Sequence, residues 1–269
     1  TKKLMGEVSI PVITSNRINT PQVGDDVLAE GCADMVSMAR PFLADPYFVA
    51  KAAAGKAELI TPCIACNQAC LDHTFSMKIA SCLVNPKAAH ETELVLTPST
   101  KTVGIVGAGP AGLASALAAA ERGMAVTVFD RANEIGGQLN MAKQVPGKEE
   151  FWGLVDYYRA AVAEAGITLK LGADATADDL AGFDEVIIAT GVSPRDPQID
   201  GQDGPNVLSY IDVLRGKAEV GKRVAIIGAG GIGFDVAEFL VTDDSPTEDL
   251  DAWLEEWGVG DPSNTRGGM

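Results

Sequence analysis

Thr102-Val-Gly-Ile-Val-Gly-Ala-Gly-Pro-Ala-Gly112 is a β-branched run that passes directly into a glycine-rich turn. We expect a buried strand over 103–106, a helix over 111–122 and a second strand over 125–130. The dinucleotide-binding fingerprint consists of a strand, a G-x-G-x-x-G turn, a helix and an acidic residue at the end of the next strand. The glycines let a pyrophosphate approach the helix N-terminus, and the acid accepts ribose hydroxyls. The predicted contacts of this nucleotide site are Gly107, Ala108, Gly109, Pro110, Ala111, Gly112 and Asp130.

A second copy of this opening lies further along the chain, at Arg223-Val-Ala-Ile-Ile-Gly-Ala-Gly230. It predicts a strand over 223–227 and a helix over 234–240. Between the two copies we expect a helix over 149–165 and strands over 167–171 and 185–189. Two fingerprints in tandem indicate one bound flavin and one diffusing nicotinamide. The residues predicted to contact the nicotinamide nucleotide are Gly228, Gly230, Gly231, Ile232 and Gly233.

The N-terminal segment shows a β-α-β rhythm, with strands expected over 8–14 and 35–38 and a helix over 22–29. Two parallel strands and one crossover helix cannot close a sheet or a barrel. We therefore interpret residues 1 to about 55 as part of a larger unit, and we expect both ends of the chain to lie inside domains.

Four of the five cysteines are concentrated between the two patterns, in a segment without regular periodicity. Cys63, Cys66, Cys70 and Cys82 follow the spacing C-x2-C-x3-C-x11-C, three on one tight loop and a fourth that returns to it. Four converging thiolates hold an iron–sulfur cluster or a zinc ion. Because structural zinc more often uses two C-x2-C pairs, the spacing favours the cluster, with zinc and disulfides as alternatives.

The composition is that of a globular protein with a large surplus of acid. The 269 residues carry 21 basic and 37 acidic side chains, a formal charge of −16, and 46% of the residues are hydrophobic. Because this charge repels phosphate backbones and anionic headgroups, neither nucleic acid nor membrane is expected as a partner. The apolar runs are far shorter than the roughly 20 residues of a membrane span, and no export signal is recognisable. We therefore expect a soluble, cytoplasmic protein with reduced cysteines.

Several longer segments resemble one family of flavoenzymes. They are Thr14-Ser-Asn-Arg-Ile-Asn19, residues 33–45, the cysteine segment 63–86, and residues 136–151, which begin Gly-Gly-Gln-Leu-Asn-Met. Over essentially its whole length the chain resembles the bacterial NADPH-dependent 2,4-dienoyl-CoA reductases, which join an old-yellow-enzyme barrel to a disulfide-reductase-like module. The resemblance implies an α/β chain with the C-terminal end of a TIM (β/α)8 barrel, an iron–sulfur region, and a Rossmann-like FAD/NAD(P)-binding domain.

The same resemblance implies domain boundaries and cofactors. Residues 1–55 would belong to an FMN-binding barrel, 56–100 to a [4Fe–4S] segment and linker, 101–218 to the FAD domain, and 219–269 to the start of the NAD(P)H domain. Further contacts implied by the family are Arg17, Ala39 and Arg40 to FMN, and Gly137, Gln138 and Ala175 to FAD. The four cysteines would be the cluster ligands.

The activity implied by the family is an electron relay from NADPH through FAD and the cluster to FMN, which reduces the conjugated double bond of an enoyl- or dienoyl-CoA thioester. The family's proton donors have no counterpart in this chain, so no catalytic residue is assigned, and we do not expect the chain alone to turn over. Two alternatives are an amine oxidiser similar to trimethylamine dehydrogenase and a non-catalytic module for electron transfer or nucleotide binding.

Overall fold

The computed structural model describes residues 1–261 and 264–268. It divides into two compact units, one of Thr1–Gly136 and Trp152–Thr190, the other of Gly137–Phe151 and the described residues from Gly191 onward. Positions 262, 263 and 269 of the predicted segment 219–269 lie outside the described residues. Among the helices that are described, none is both long enough and apolar enough to cross a bilayer.

The strands in chain order are β1 (Ile13–Ser15), β2 (Met35–Ser37), β3 (Thr102–Val106), β4 (Ala125–Asp130), β5 (Thr168–Leu171) and β6 (Glu185–Ile188). The α-helices are α1 (Pro21–Ala29), α2 (Arg40–Ala44), α3 (Phe48–Ala53), α4 (Leu71–Phe75), α5 (Pro110–Glu121), α6 (Leu139–Ala142), α7 (Glu150–Glu164), α8 (Ala177–Leu180), α9 (Tyr210–Leu214), α10 (Gly231–Val241) and α11 (Leu250–Glu256). Short 3-10 turns cover Lys2–Leu4, Ala57–Leu59, Pro246–Glu248 and Arg266–Gly268.

The N-terminal part of the first unit is a parallel β-α-β element, as the sequence predicts. β1 pairs with β2 from Ile13↔Met35 to Ser15↔Ser37, and α1 connects the two strands. The predicted start of the first strand at residue 8 was wrong, because only residues 13–15 have a partner strand alongside them. The helix α1 begins where Thr20 accepts a hydrogen bond from the backbone of Val23, with Pro21 in the first turn.

The second part of the first unit is a four-stranded parallel sheet in the order β5-β4-β3-β6. Val103 and Ile105 of β3 and Val126 and Val128 of β4 are buried, and α5 packs its inner face against these two strands. This order places β3, which feeds the first glycine turn, inside the sheet with a neighbour on each side. The predicted strands and helices between 102 and 189 are confirmed to within one or two residues.

The second unit has its own small hydrophobic core, contributed by α6, α9, α10 and the segments beside them. The predicted strand over 223–227 is not formed, because no other described strand lies beside this segment to pair with its backbone. Its apolar side chains are correspondingly exposed, with Val224 50%, Ile226 41% and Ile227 78% accessible. The predicted helix of the second repeat is present as α10 and begins three residues earlier.

Candidate cofactor sites

The first glycine turn packs too closely against the sheet to accept side chains. Gly107 has φ +113°, and a Cβ built there would lie 2.1 Å from the backbone oxygen of Ala189. A Cβ on Gly112 would lie 1.8 Å from the backbone oxygen of Gly107. The turn therefore needs glycine at both positions, one for its conformation and one for the close approach of α5 to the turn.

The turn leads into a helix N-terminus that no side chain caps. Gly109 is the N-cap of α5 and makes no side-chain cap bond, while Pro110 occupies the first turn. Backbone N–H groups at the start of a helix have no partner within the helix, and the helix dipole makes this end positive. The arrangement suits a pyrophosphate.

The carboxylate of Asp130, at the end of β4, accepts hydrogen bonds from the backbone around it. One oxygen of its carboxylate accepts the backbone N–H of Ala108 at 2.6 Å, and the other accepts the N–H of Ala132 at 2.8 Å. The backbone N–H of Gly136 also donates to the Ala108 oxygen, at 2.8 Å. The acid predicted to bind a ribose therefore also holds the glycine turn, and each carboxylate oxygen has a second lone pair for a ligand hydroxyl.

The second glycine turn repeats the local geometry of the first. Gly228 has φ +120°, Gly230 is an N-cap without a side-chain bond, and a Cβ on Gly233 would lie 2.1 Å from the Gly228 oxygen. Unlike its counterpart in the first turn, Gly228 has nothing within 4 Å of a Cβ built on it. The second site thus has the same turn and helix start, without a paired strand in front of it.

The four predicted ligand cysteines line one cavity. Its wall also includes apolar side chains and two polar ones, so that the full set is Arg40, Leu43, Cys63, Ile64, Cys66, Asn67, Ala69, Cys70, Cys82 and Leu83. All the cysteines of the chain are free thiols, which argues against the disulfide alternative. Within the part of the chain that is described, no three or more His, Cys, Asp or Glu side chains are grouped to hold a metal ion.

The backbone bends sharply so that three cysteines can face this cavity. Ala65 has φ +53° and Asn67 has φ +58°, on either side of Cys66. The left-handed conformation is unfavourable for alanine, and such strain is concentrated at functional sites. The backbone N–H of Ser81 donates to the Ala69 oxygen at 2.7 Å, which brings the neighbouring Cys82 back to the loop.

Side chains from the preceding elements fix the cysteine segment at its start. The carboxylate of Asp45, only 2% exposed, accepts the Thr61 N–H at 2.9 Å and pairs with Lys51. The Asn19 amide donates to the Cys63 oxygen at 3.3 Å. Asp45 and Asn19 were missed from the sequence, because their partners are 16 and 44 residues away.

Burial raises the pKa of the Cys82 thiol above its ordinary value. Two backbone hydrogen bonds, from Val84 and Asn85, oppose this effect but do not cancel it. Because metals bind the thiolate, a positive centre in the cavity would be needed to ionise this cysteine at neutral pH.

The residues predicted to contact FMN follow the carboxyl ends of β1 and β2, which are adjacent in the two-stranded sheet. Arg17 is exposed, has φ +57° and lies two residues after β1. Ala39 is the N-cap of α2, and Arg40 is the first residue of that helix. The carboxyl ends of parallel barrel strands are where barrel enzymes bind their ligands.

The remaining predicted FAD contacts are divided between the units. Ala175 follows β5 in the first unit, close in sequence to Ala173, whose N–H donates to the backbone carbonyl oxygen of Asp130. Gly137, with φ +55°, and Gln138 belong to the second unit, where the Gln138 amide donates to the Val192 oxygen at 3.0 Å. Their roles toward FAD stay predictions.

Two family models match the chain. One described as pyridine nucleotide-disulphide oxidoreductase covers residues 101–244, and one described as NADH:flavin oxidoreductase / NADH oxidase family covers residues 1–58. The chain is 42% identical to a metal reductase of Desulforamulus reducens, with 87% of this chain and 36% of that protein aligned.

Two solved structures are similar as well. A complex of 2-naphthoyl-CoA reductase with 2-naphthoyl-CoA superposes with a TM-score of 0.84 and 36% identity, covering 87% of this chain and 36% of the other. Histamine dehydrogenase from Rhizobium sp. 4-9 superposes with a TM-score of 0.71 and 29% identity, covering 81% of this chain and 34% of the other. The chain spans about a third of the length of these relatives.

Proposed function

This chain belongs to the pyridine nucleotide-disulphide oxidoreductase family, and we propose that it is the electron-transfer part of a multi-cofactor flavin reductase. In this proposal FAD binds at the first glycine turn, NADPH at the second, a [4Fe–4S] cluster at the four cysteines, and FMN at the strand ends near Arg17 and Arg40. The final acceptor is the conjugated double bond of an enoyl- or dienoyl-CoA thioester.

The observation that carries this proposal is the cavity lined by Cys63, Cys66, Cys70 and Cys82. The donor chemistry fits an iron–sulfur cluster, which is held by sets of four cysteine thiolates. The four cysteines line one cavity, and their C-x2-C-x3-C-x11-C spacing favours a cluster over zinc, because structural zinc more often uses two C-x2-C pairs.

The first glycine turn fits a dinucleotide for a separate reason. The close contacts at Gly107 and Gly112 hold the turn tightly against the neighbouring strand end and the start of α5, as a dinucleotide-binding turn requires. The helix α5 supplies uncapped N–H groups, and Asp130 supplies acceptors for ribose hydroxyls. When bound, the flavins and the cluster supply hydride and single-electron transfer.

The chain's own residues bind and orient these groups. The glycine turns bind pyrophosphates through backbone N–H groups, and Asp130 fixes the first turn. The cysteine loop would hold the cluster beside the apolar side chains of Leu43 and Ile64, which line the same cavity. Arg17 and Arg40 offer forked donors to an FMN phosphate.

The proposed substrate class comes from the resemblance and from the structural similarity to 2-naphthoyl-CoA reductase. That protein's ligand is an acyl-CoA thioester with an unsaturated system conjugated to the thioester. FMN held near Arg17 and Arg40 would supply hydride transfer to such a system, whose thioester carbonyl can accept the developing negative charge.

The test is cofactor analysis of the chain prepared without oxygen. We expect about four irons and four sulfides per chain, bound FAD, and loss of the iron on Cys66→Ser. Cys32→Ser is the matched control, because Cys32 is a free thiol that does not line the cavity. Zinc in place of iron, or equal iron loss in both variants, would contradict the proposal.

The similarity to histamine dehydrogenase favours one second candidate, oxidation of an amine. In that case electrons enter from the substrate, and the nucleotide site need not hold a working FAD. The released nucleotide separates the two candidates, since FAD supports the reductase and ADP supports the amine oxidiser. The two complete glycine turns favour the reductase.

A further inference from the structure

Arg40 is placed at the cysteine cavity as well as at the strand end. Of the described residues that line this cavity, Arg40 is the only one with a cationic side chain. Arginine brings a fixed, delocalised positive charge to a site. The chain as a whole carries a formal charge of −16, so a fixed cation at this position opposes the general field of the protein.

Asn67 holds the guanidinium at this place. Nη1 of Arg40 donates to Oδ1 of Asn67 at 2.8 Å. Asn67 itself is fixed by the strained loop, with φ +58° directly after Cys66, and its backbone oxygen accepts the Asp72 N–H at 3.0 Å. The bond joins two segments 27 residues apart, one from the flavin oxidoreductase part of the chain and one from the cysteine loop.

We propose that Arg40, positioned by Asn67, raises the electron affinity of the iron–sulfur cluster. The inference rests on the proposed function, because it requires the cluster. Reduction adds one electron, supplied by a reduced flavin, with no bond made or broken and no proton taken up by the guanidinium. The added negative charge is stabilised by a nearby fixed cation, and net charge around a cluster is one of the factors that set its potential.

This role differs from phosphate binding, although the same side chain serves both. A guanidinium has five N–H donors in a rigid fork, and the bond to Asn67 uses a donor on Nη1. The other N–H donors remain available to an anion, while the positive charge of the guanidinium acts on the cluster. Arg40 would thus be a tuning residue for the cluster and Asn67 a positioning residue that acts through it.

The test is a redox titration of the cluster in the 269-residue chain without added FMN, followed by electron paramagnetic resonance and iron analysis. We expect Arg40→Gln to weaken electron affinity about tenfold, which lowers the midpoint potential by about 59 mV for a one-electron couple. Arg40→Lys should keep most of the wild-type potential, and Asn67→Gly, which tolerates φ +58°, should have a potential between those of the wild type and Arg40→Gln. Arg159→Gln, on α7 and outside the cavity lining, changes the net charge equally and should leave the potential unchanged.

The iron content and the midpoint potential together distinguish a failure of this inference from a failure of the proposed function. No iron in the wild type would overturn the proposed function and the inference with it. Full iron and an unchanged potential in Arg40→Gln would overturn the inference alone. If Arg40→Gln does not assemble the cluster, Asn67→Gly decides, because it keeps the charge of Arg40, tolerates φ +58° and removes the side chain that anchors the guanidinium. A wild-type potential in Asn67→Gly would then overturn the inference.

Discussion

Gly112→Ala adds one methyl group at the closest backbone contact of the first glycine turn. The new Cβ would lie 1.8 Å from the Gly107 oxygen, and real Cβ atoms essentially never approach other atoms within 3.0 Å. Gly107 cannot yield, because its N–H donates to the Phe129 oxygen at 2.7 Å and Ala189 lies against its other side. The start of α5 must therefore move away from the turn by roughly 1 Å.

That movement is costly because α5 is well packed. Its side chains Leu113 and Ala116 are completely buried, so a shift of the helix opens space beside them. Overpacking typically costs about 1–3 kcal/mol, and the higher helix propensity of alanine offsets about 1 kcal/mol of that. Because the new Cβ meets rigid backbone, we use the upper end of the range and expect a net loss of about 2 kcal/mol, which lowers the melting temperature by roughly 4–8 °C for a chain of this size.

The assay is thermal unfolding followed by circular dichroism, combined with measurement of bound FAD. Gly153→Ala is the matched control, because Gly153 lies in α7 with nothing within 4 Å of a Cβ and should gain about 0.5–1 kcal/mol. Gly233→Ala tests the second turn. Its Cβ would lie 2.1 Å from the Gly228 oxygen, but a Cβ built on Gly228 meets nothing within 4 Å, so Gly228 has space into which it can move and we expect less than half the loss. A melting temperature for Gly112→Ala equal to that of the wild type would refute the reasoning.

Three further predictions concern single side chains. Asp45→Ala removes the buried carboxylate that pairs with Lys51 and accepts the Thr61 N–H. We expect the free energy of unfolding in urea to fall by about 3 kcal/mol. A loss of less than about 1 kcal/mol would contradict this expectation. Asp130→Ala frees the Ala108 N–H and removes the ribose acceptor; FAD affinity should fall at least tenfold in a fluorescence titration, and unchanged affinity would exclude a ribose contact. Burial raises the pKa of Tyr158 to about 12, so its neutral form is favoured by the folded state. The contribution of this neutral phenol to the free energy of unfolding is complete below pH 10, is lost as the pH rises toward 12, and amounts to about 3 kcal/mol. Tyr158→Phe should reduce this alkaline loss of stability, and an identical pH dependence in both proteins would show that Tyr158 does not cause it.

The sequence predicted best those elements whose cause is local. The strand β4 ends at Asp130 as expected, and α5 begins within one residue of its predicted start, because a glycine turn and a proline mark the helix N-terminus. The bond between Arg40 and Asn67 could not be predicted, since it depends on how two segments 27 residues apart pack together. The only local signal was an asparagine directly after Cys66, a residue type that tolerates the left-handed conformation.

The second repeat shows why one half of a motif can be predicted and the other not. The turns at Gly107 and Gly228 have φ +113° and +120°, and the N-caps Gly109 and Gly230 have ψ −179° and −177°. These conformations agree although only the first turn follows a paired strand. The turn and helix start are therefore specified by the glycines themselves. A strand needs a neighbour for its N–H and C=O groups, so residues 223–227 require partners that their own sequence does not provide.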